Sequence, residues 1–481
     1  MSSLYDSENS SISSSPPPPM QSLDVEMEDV QPTSATFPSS SAGRVSGHGG
    51  ISGSYSVGVR PSSKKFKNRH TTGSLNRLQQ QTNGLRIDDG LFQRLKPKSL
   101  VVGKRYDILG NLPYELATLI CSYVEPLWLL RMSLVSKTWL IASRDNELWK
   151  RKFAANPSWK VNIPYQHLDE MDWRHLYSQR YLLEQRWSTG KVTTHYLTGH
   201  ADNVYCLQFD DEKIITGSRD RTIKIWNMKT RECMHTLTGH EQSVLCLRYD
   251  EEILVSGSSD QSVIVWDLQT LQMKYRIMGH TEGVLDVVFD KKYIVTCSKD
   301  STIRIWDRAT GNAIRVISAH RGPVNAIQLK DNIIVSASGD TFIKMWDIET
   351  GECLREFEGH TRGLACVQYD GKRIVSGSND KRIKVWDVKT GQCIMTCEGH
   401  TGLVRTLKFD DEKLISASYD QSIRVWDIRS GTPLLNFQSG HLSWVFDVHF
   451  NRTKIVSCCQ GHDQQILIMD FGQGLDTTYF I

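Results

Sequence analysis

From about residue 191 onward, apolar and polar residues alternate singly in short runs. Ile223-Lys224-Ile225-Trp226 and Ile383-Lys384-Val385-Trp386 are two such runs, and Val and Ile are frequent in them. Alternation places every second side chain on one face of a strand, and β-branched residues favour strands. The pattern therefore predicts an all-β region that extends to about residue 473.

Three marks recur in this region at an interval of 40 residues: a His that usually follows Gly, an Asp 20 residues later, and a Trp six residues after that. The His residues are His200, His240, His280, His320, His360 and His400. The Asp residues run from Asp220 to Asp420 and the Trp residues from Trp226 to Trp426 in the same steps. A four-strand unit of this length with these marks is typical of a β-propeller blade.

A seventh, irregular copy follows, in which His441 comes one residue late and Met469 replaces the Trp. No outer strand follows Met469, but Lys191–Leu197 precedes the first Gly-His pair as an outer strand would. We therefore predict that Lys191–Leu197 completes the seventh sheet of a seven-bladed β-propeller of WD repeats, residues 191–473. Such closure leaves no unpaired sheet edge around the ring.

Before the strands, residues 106–153 space their apolar positions as helices do. Asn111 is predicted to cap the first helix, with Pro113 tolerated in its first turn and Pro126 stopping the run. Two further helical segments follow, one over residues 130–139 and one that starts near Asp145. Three short helices in fewer than about 50 residues bury a very small core. We predict a small all-α domain, residues 105–154, that a partner partly covers.

A longer helix is predicted at Met171–Trp187, within a linker of residues 155–190. It contains no Gly or Pro. At about 1.5 Å per residue, such a helix is a stiff spacer between the two domains.

Composition separates the first 104 residues from the rest, because they are rich in Ser, Pro and Gly and include Pro16–Pro19. Such a segment buries too little apolar surface to offset chain entropy, so it is predicted to be disordered. The basic cluster Lys64–Arg69 is read either as a nuclear-import signal or as a solvated charge run in a flexible tail. We expect the protein in the cytoplasm, the nucleus or both.

The overall composition narrows the function classes. A formal net charge of +3 is too small to favour general nucleic-acid binding. No apolar run approaches the length of a membrane span, and the polar first 15 residues predict no secretory signal. Eleven cysteines, an odd number without a CxxC pair, suit a reducing compartment.

The recurrent polar residues are interpreted as structural, because a catalytic site has no reason to occur six times. A buried His–Asp–Ser–Trp hydrogen-bond network in each blade would satisfy these groups. The cysteines also recur in phase, which indicates packing: Cys206, Cys246 and Cys366 share one position, and Cys233, Cys353 and Cys393 share another. We predict no catalytic residue, no metal site and no cofactor.

Functional residues are expected where the copies differ. Two variable positions, just before the blade Asp and around the start of the first strand, should converge on one rim of the central channel. The rim residues are Arg219, Lys299, Arg362, Arg405, Tyr205, Ser243, Ser259, Tyr419, Leu245, Leu285 and Leu403. Cations with hydroxyls around an apolar floor fit a short anionic peptide, and guanidinium groups suit phosphate. The alternative is a rim of solvated charges, since Asp202 and Glu282 lie nearby.

Leu112-Pro113-x-Glu115-Leu116, Val135-Ser136-Lys137-x-Trp139 and Leu148-Trp149 resemble an F-box. Placed before seven WD repeats, the F-box-like segment makes the chain similar to the F-box/WD-repeat substrate receptors of SCF ubiquitin ligases. The resemblance implies that the F-box binds a Skp-type adaptor on a cullin, through Leu112, Pro113, Leu116, Ile120, Val135, Trp139, Leu148 and Trp149.

The same resemblance implies that the propeller reads a doubly phosphorylated degron. The positions that match degron contacts are Tyr205, Arg219, Ser243, Ser259, Leu285, Asn325, Gly339, Arg362, Gly363, Ala365, Leu403, Arg405 and Tyr419. Trp444 and Thr341 stand where a relative has Arg. We expect Trp444, which is uncharged, to contact an apolar degron side chain rather than a phosphate.

The implied role is non-catalytic: the protein would hold a phosphorylated substrate close to a ubiquitin-conjugating enzyme. The substrate would then be ubiquitinated and degraded by the proteasome. The competing interpretation is a WD-repeat scaffold that is not coupled to a ligase. Homodimerisation is left open, and residues 474–481 are read as a short tail.

Overall fold

The structure, a computed structural model, describes residues 107–164, 167, 170–438, 440–461 and 464–480. The predicted disordered segment 1–104, with its basic cluster at 64–69, lies outside the described residues. No helix in the described part of the chain is long and apolar enough to cross a membrane.

The described helices come first along the chain. A 3-10 turn at Leu109–Asn111 leads into α1 (Tyr114–Tyr123), α2 (Pro126–Met132), α3 (Lys137–Ser143) and α4 (Asn146–Ala154), and a longer helix, α5 (Trp173–Thr189), follows. Asp145 caps α4, as its side chain accepts from the amide of Leu148 at 2.7 Å. The third predicted segment and the spacer helix are therefore confirmed.

The predicted start and end of the first helix were wrong. Asn111 closes the 3-10 turn, and its side-chain amide donates to the carbonyl of Asp107 at 2.9 Å. The N-cap is Pro113, without a side-chain hydrogen bond. Pro126 does not stop α1, which ends at Tyr123; it opens α2, where its missing amide would have no helical partner in any case.

The second predicted segment, 130–139, is two helices rather than one. Residues 133–136 separate α2 from α3. Ser136 then caps α3, because its hydroxyl accepts from the amide of Trp139. The domain thus has four short helices where the sequence predicted three.

The strands of the described residues form seven four-stranded sheets. In chain order these are β2 (Val204–Phe209), β3 (Lys213–Ser218), β4 (Thr222–Asn227) and β5 (Cys233–Thr238); β6 (Val244–Tyr249), β7 (Ile253–Ser258), β8 (Val263–Asp267) and β9 (Met273–Ile277); β10 (Val284–Phe289), β11 (Tyr293–Ser298), β12 (Thr302–Asp307) and β13 (Ala313–Ser318); β14 (Val324–Lys330), β15 (Ile333–Ser338), β16 (Ile343–Asp347) and β17 (Cys353–Phe357); β18 (Leu364–Tyr369), β19 (Arg373–Ser378), β20 (Arg382–Asp387) and β21 (Cys393–Glu398); β22 (Val404–Phe409), β23 (Lys413–Ser418), β24 (Ile423–Asp427) and β25 (Pro433–Phe437); and β26 (Val445–Phe450), β27 (Lys454–Cys459) and β28 (Ile466–Asp470) with β1 (Thr193–Leu197).

The seventh sheet is completed by β1, as the sequence predicted. β1 pairs antiparallel with β28 in a register that runs from Thr193 opposite Asp470 to Leu197 opposite Ile466. The fold class of a seven-bladed β-propeller preceded by a small helical domain is confirmed.

The recurrent polar residues form the predicted network. In the first blade, His200 Nδ1 lies 2.8 Å from Asp220 Oδ2, and its Nε2 lies 2.8 Å from Thr216 Oγ1. Trp226 Nε1 donates to the same hydroxyl at 2.9 Å. In the blades of His280, His320, His360 and His400, a Ser or Thr hydroxyl likewise contacts both the His Nε2 and the Trp Nε1. These groups hold the blades together.

The network also sets protonation states. Burial alone would raise the pKa of Asp340, but its hydrogen bonds to His320 and to backbone amides outweigh burial and hold the pKa at about 2. Burial lowers the pKa of His280 and His400. In the seventh blade, burial lowers the pKa of His441, which lies 2.7 Å from Ser457 Oγ, to about 3.

The two sets of recurrent cysteines differ. Cys206 lies opposite Gly217, and Cys366 lies opposite Gly377, on neighbouring strands, and both thiols are buried. The packing interpretation is confirmed for this set. It was wrong for the outer-strand set, because these side chains are exposed: Cys233, Cys353 and Cys393.

The described residues divide into two compact units. The first unit contains residues 107–247 and 395–480, and the second contains residues 248–394. In the first unit, Leu183 and Trp187 of α5 join a core built from β23–β28. The helical core around Trp149 and Phe153 includes Trp173 from α5, so the helix packs against both.

Candidate functional site

In the blades of Asp220, Asp300, Asp340, Asp380 and Asp420, the residue before the Asp meets the start of the first strand, as predicted, and Gln460 takes the same place in the seventh blade. In each case its amide donates to the carbonyl of the residue that precedes the strand. The bonds are Arg219 to Asn203 (2.8 Å), Lys299 to Gly283 (3.0 Å), Gly339 to Pro323 (2.9 Å), Asn379 to Gly363 (3.0 Å), Tyr419 to Leu403 (3.0 Å) and Gln460 to Trp444 (3.0 Å). The two variable positions of a blade therefore lie side by side.

A β-bulge in the first strand turns the predicted site residues out of the ladder. The residue skipped by the pairing register is Tyr205, Leu285, Asn325, Ala365, Arg405 or Phe446 in its own blade. A bulge bends the strand and re-aims the unpaired side chain. Five of these six residues are predicted degron contacts, and the sixth, Phe446, was missed.

In the first unit, Arg219 lies beside an acid and a phenol. Its side chain is 39% exposed, and its Nε lies 3.7 Å from Asp202 Oδ2. Tyr205 is only 7% exposed. Burial raises the pKa of Tyr205 against the opposing effects of Arg219 and of a hydrogen bond to Asn203, so the hydroxyl stays neutral. Asp202 would compete electrostatically with an incoming phosphate for Arg219.

A row of aromatic rings continues from Tyr205. Phe446 packs edge-on against Tyr205, with centroids 5.0 Å apart, and against Tyr419 at 5.9 Å. Tyr419 in turn stacks on Trp444, with centroids 4.7 Å apart and planes within 7°. Trp444 is 37% exposed. The row therefore ends in an indole face open to a ligand.

The other predicted contacts of the first unit are buried or half-buried. Leu403 is 8% exposed. Arg405 and Ser243 are half-buried, as Arg219 and Tyr419 are. Trp444 is therefore the most exposed predicted contact of this unit.

In the second unit, the predicted contacts gather around the start of β18. Asn325 Nδ2 donates to the carbonyl of Leu364 at 2.6 Å, so its amide is already engaged. Ala365 and Gly363 are buried, whereas Arg362 is exposed and its carbonyl accepts from Ser378 Oγ. Ser259, Leu285 and Gly339 are half-buried. Arg362 and Lys299 are thus the exposed predicted cations of this unit.

The helical domain presents a second candidate surface. Leu116, Ile120 and Val135 are 47%, 43% and 63% exposed. Pro113 is exposed, and Leu112 and Trp139 are half-buried. Further exposed apolar side chains, which the sequence reading did not select, are Leu119, Tyr123, Leu127, Trp128, Leu130, Leu134 and Ile141. Apolar surface of this extent marks an interaction site, and apolar residues all round short helices are its signal in the sequence.

Leu148 and Trp149 are core residues and not surface contacts. They are 2% and 3% exposed, and Trp149 Nε1 donates to the carbonyl of Ser143 at 2.8 Å. Their inclusion among the adaptor contacts is corrected accordingly, since a partner could not reach them. They support the exposed helices from beneath.

In the described part of the chain, no group of three or more His, Cys, Asp or Glu residues is placed to hold a metal ion. The two surfaces described above present apolar side chains on the helices, and cations with aromatic rings on the blades.

Comparison with known families matches both parts of the chain. Residues 109–155 match the F-box-like family. Residues 191–227, 231–267, 271–307, 311–347, 351–387 and 391–427 match the WD domain, G-beta repeat.

Three relatives carry related names. The chain is 34% identical over 141 residues to F-box/WD repeat-containing protein 7 of Drosophila melanogaster, covering 27% of this chain and 10% of that protein. It is 28% identical over 158 residues to the Probable E3 ubiquitin ligase complex SCF subunit sconB of Arthroderma benhamiae, covering 26% and 24%. It is 30% identical over 146 residues to Cell division control protein 4 of Candida albicans, covering 27% and 21%.

The matched stretches thus span between about a tenth and a quarter of these relatives. Among solved structures, the chain overlaps the computationally designed Ika8 protein with a TM-score of 0.48 and 28% identity, over 57% of this chain and 98% of that one. The chain thus has an F-box-like segment followed by WD repeats, and in this arrangement it is similar to proteins named F-box/WD repeat-containing.

Proposed function

We propose that this protein is the substrate-recognition subunit of an SCF-type ubiquitin ligase. The observation that carries the proposal is the apolar surface of α1–α3, which lies in an F-box-like segment directly before a WD-repeat propeller. The name of the sconB relatives, an SCF subunit, supports the same role.

In this role the protein does not catalyse the transfer of ubiquitin. The helices bind a Skp-type adaptor, which links them to a cullin, and the blades hold the substrate. Holding two reactants together raises their effective concentration, so the chemistry is left to another chain.

We further propose that the blades recognise a phosphorylated degron, most nearly as the β-transducin-repeat-containing protein does. Arg219 and Arg405 in the first unit and Arg362 in the second are the proposed phosphate ligands, because guanidinium groups bind phosphate in a bidentate manner. The exposed face of Trp444 favours an apolar degron side chain at its end of the aromatic row.

Binding of the Skp-type adaptor is tested with the double variant Leu116→Ala/Ile120→Ala. Both side chains are more than two-fifths exposed, so the double variant should fold normally. We expect a Skp adaptor and a cullin to co-purify with the wild-type protein and their recovery to fall at least tenfold with the variant. Met234→Ala, on the exposed outer strand β5, is the matched control and should recover both. A wild-type protein that recovers neither partner would instead be a WD-repeat scaffold.

A further inference from the structure

The residues that follow β28, Phe471–Phe480, run back along α5, and we call them the strap. The strap begins in the core of the last blade, where Phe471 is fully buried. Its ring stacks on Trp187 at the end of α5, with centroids 3.8 Å apart and planes within 8°. Arg186 Nη1 donates at 2.8 Å to the carbonyls of both Phe471 and Gln473. One end of the strap is thus fixed to blade and helix together.

The strap then follows α5 towards the helical domain. The amide of Asp476 donates to Gln179 Oε1 at 3.2 Å, and its carboxylate lies 3.6 Å from His175 Nε2. Farther on, the amide of Asn162 donates to the carbonyl of Tyr479 at 2.9 Å. Tyr479 and Phe480 pack against the core of the helical domain. The strap therefore connects two cores along the whole length of the helix.

A buried cation marks the far end of this connection. Arg180 of α5 is 1% exposed, and one nitrogen lies 2.7 Å from Glu184. Its guanidinium lies 5.4 Å from the ring centre of Phe480 and 5.9 Å from that of Trp159. Nε and Nη1 make no hydrogen bond to the described residues. Ring faces stabilise a desolvated cation, so Arg180 favours Phe480 in its docked position.

We propose that the strap is a positioning element that holds the helical domain in one orientation on the last blade. Without it, the helical side would still meet the last blade through Trp187, whose Nε1 donates to the carbonyl of Arg452 at 2.7 Å, and through Ser158, whose carbonyl accepts from Arg452 Nη1 at 3.2 Å. Both contacts lie at Arg452, so the strap adds a separate line of contacts along α5 that restricts rotation about them. If the protein has the proposed function, the strap also determines which lysines of a bound substrate reach the ubiquitin-conjugating enzyme.

The orientation itself is tested without any ligand. Spin labels are incorporated at Ile141 on α3 and Leu442 before β26, both largely exposed, in the full chain. The wild-type protein should give one narrow distance distribution, which should widen at least twofold in Tyr479→Ala/Phe480→Ala and on deletion of residues 475–481. Exposed Thr478→Ala is the control and should remain narrow. An equally narrow distribution in both strap variants, with blades that melt normally, would overturn the proposal.

The consequence for the reaction is tested separately. The probe is a phosphopeptide from a co-purified substrate, extended by single lysines at increasing spacing, at saturating concentration. The strap variants should bind peptide and adaptor within about twofold of wild type, yet lose the preference for one lysine spacing. An unchanged preference would overturn the positioning role. Failure of the wild-type protein to bind adaptor or peptide would refute the proposed function while leaving the orientation result intact.

Discussion

Arg219 lies beside the carboxylate of Asp202 and near the buried phenol of Tyr205, so the phosphate affinity that we propose for it should depend on both. Arg219→Ala should weaken binding of a phosphopeptide from a co-purified substrate by about ten- to a hundredfold, or ~1.5–3 kcal/mol. Arg219→Lys should also weaken it, since an ammonium cannot form the bidentate contact. Asp202→Asn should strengthen it, because the competing charge is removed and the oxygen that accepts from Asn203 remains.

Calorimetry with paired phosphorylated and plain peptides measures these differences. Added salt should reduce the affinity of the phosphorylated peptide. Equal affinity for the two peptides would refute phosphate recognition and leave the rim as an ordinary protein-binding surface.

Substitution of Trp444 tests the proposal that this residue contacts an apolar side chain of the degron. Trp444→Ala should weaken a phosphopeptide that carries a large apolar residue, and have little effect once that residue is changed to Gly. The loss arises because the indole face and the stacked Tyr419 ring form a rigid apolar platform. Leu442→Ala, an exposed neighbour, is the control. Equal losses for both peptides would mean that Trp444 supports the rim without contacting the degron.

His441 couples the stability of the seventh blade to pH. Its folded-state pKa is about 3, while an unfolded His has about 6.5, so the unfolded chain binds more protons between these values. Stability therefore falls as the pH falls below about 6.5. At pH 5 this one group should remove about 2 kcal/mol relative to pH 7.

His441→Gln should remove this group's contribution to the pH dependence, and the variant should also be less stable at pH 7 because the bond to Ser457 changes. Urea unfolding at pH 7 and pH 5 gives the comparison, with exposed His235→Gln as the control. An unchanged pH dependence in His441→Gln would contradict the assignment.

At the scale of the strand, the pairs β2–β3 and β18–β19 each place a larger side chain on one strand opposite a glycine on the other. Cys206 and Cys366 lie opposite glycines, whereas Ala326 and Thr406 lie opposite alanines. A Cβ at Gly217 would lie 2.7 Å from both Cys206 Sγ and Val244 Cγ1. The glycine makes room for the thiol, which explains why the buried cysteines recur.

Gly217→Ala should lower the free energy of unfolding by about 1–3 kcal/mol through overpacking. Adding Cys206→Ala should recover part of that loss, because it recreates the Ala–Ala pair of Ala326 and Ala337. Urea unfolding of both single variants and the double variant measures the coupling. Strictly additive losses would show that the two positions do not compete for the same space.

At the scale of the whole molecule, the sequence predicted what repeats and missed what occurs once. The blades, their hydrogen-bond networks and the pairing of β1 with β28 follow from marks that recur every 40 residues. Phe446 stands at the same variable position as the other five bulge residues, but it was left out of the predicted contacts because the family resemblance does not point to it. Leu148 and Trp149 were misplaced because apolar spacing alone does not separate a core from an interface in so small a domain.

The strap could not be predicted for a related reason. Residues 471–480 have neither strand nor helix periodicity, and their partners on α5 lie far away in sequence. Asp202 was noticed only as a nearby charge, because its distance from Arg219 depends on the turn that joins the two residues to the same end of the blade. Contacts of this kind are set by tertiary structure and leave no local pattern.

The strap and the pairing of β1 with β28 also constrain the order in which the protein can mature on the ribosome. The helical domain is synthesised early, yet its core includes Tyr479 and Phe480, which emerge after every blade. The seventh sheet likewise unites one of the first strands translated with the last. A chain interrupted before residue 466 therefore has neither a finished propeller nor a finished helical core, and both are completed only after residues 466–480 have been translated.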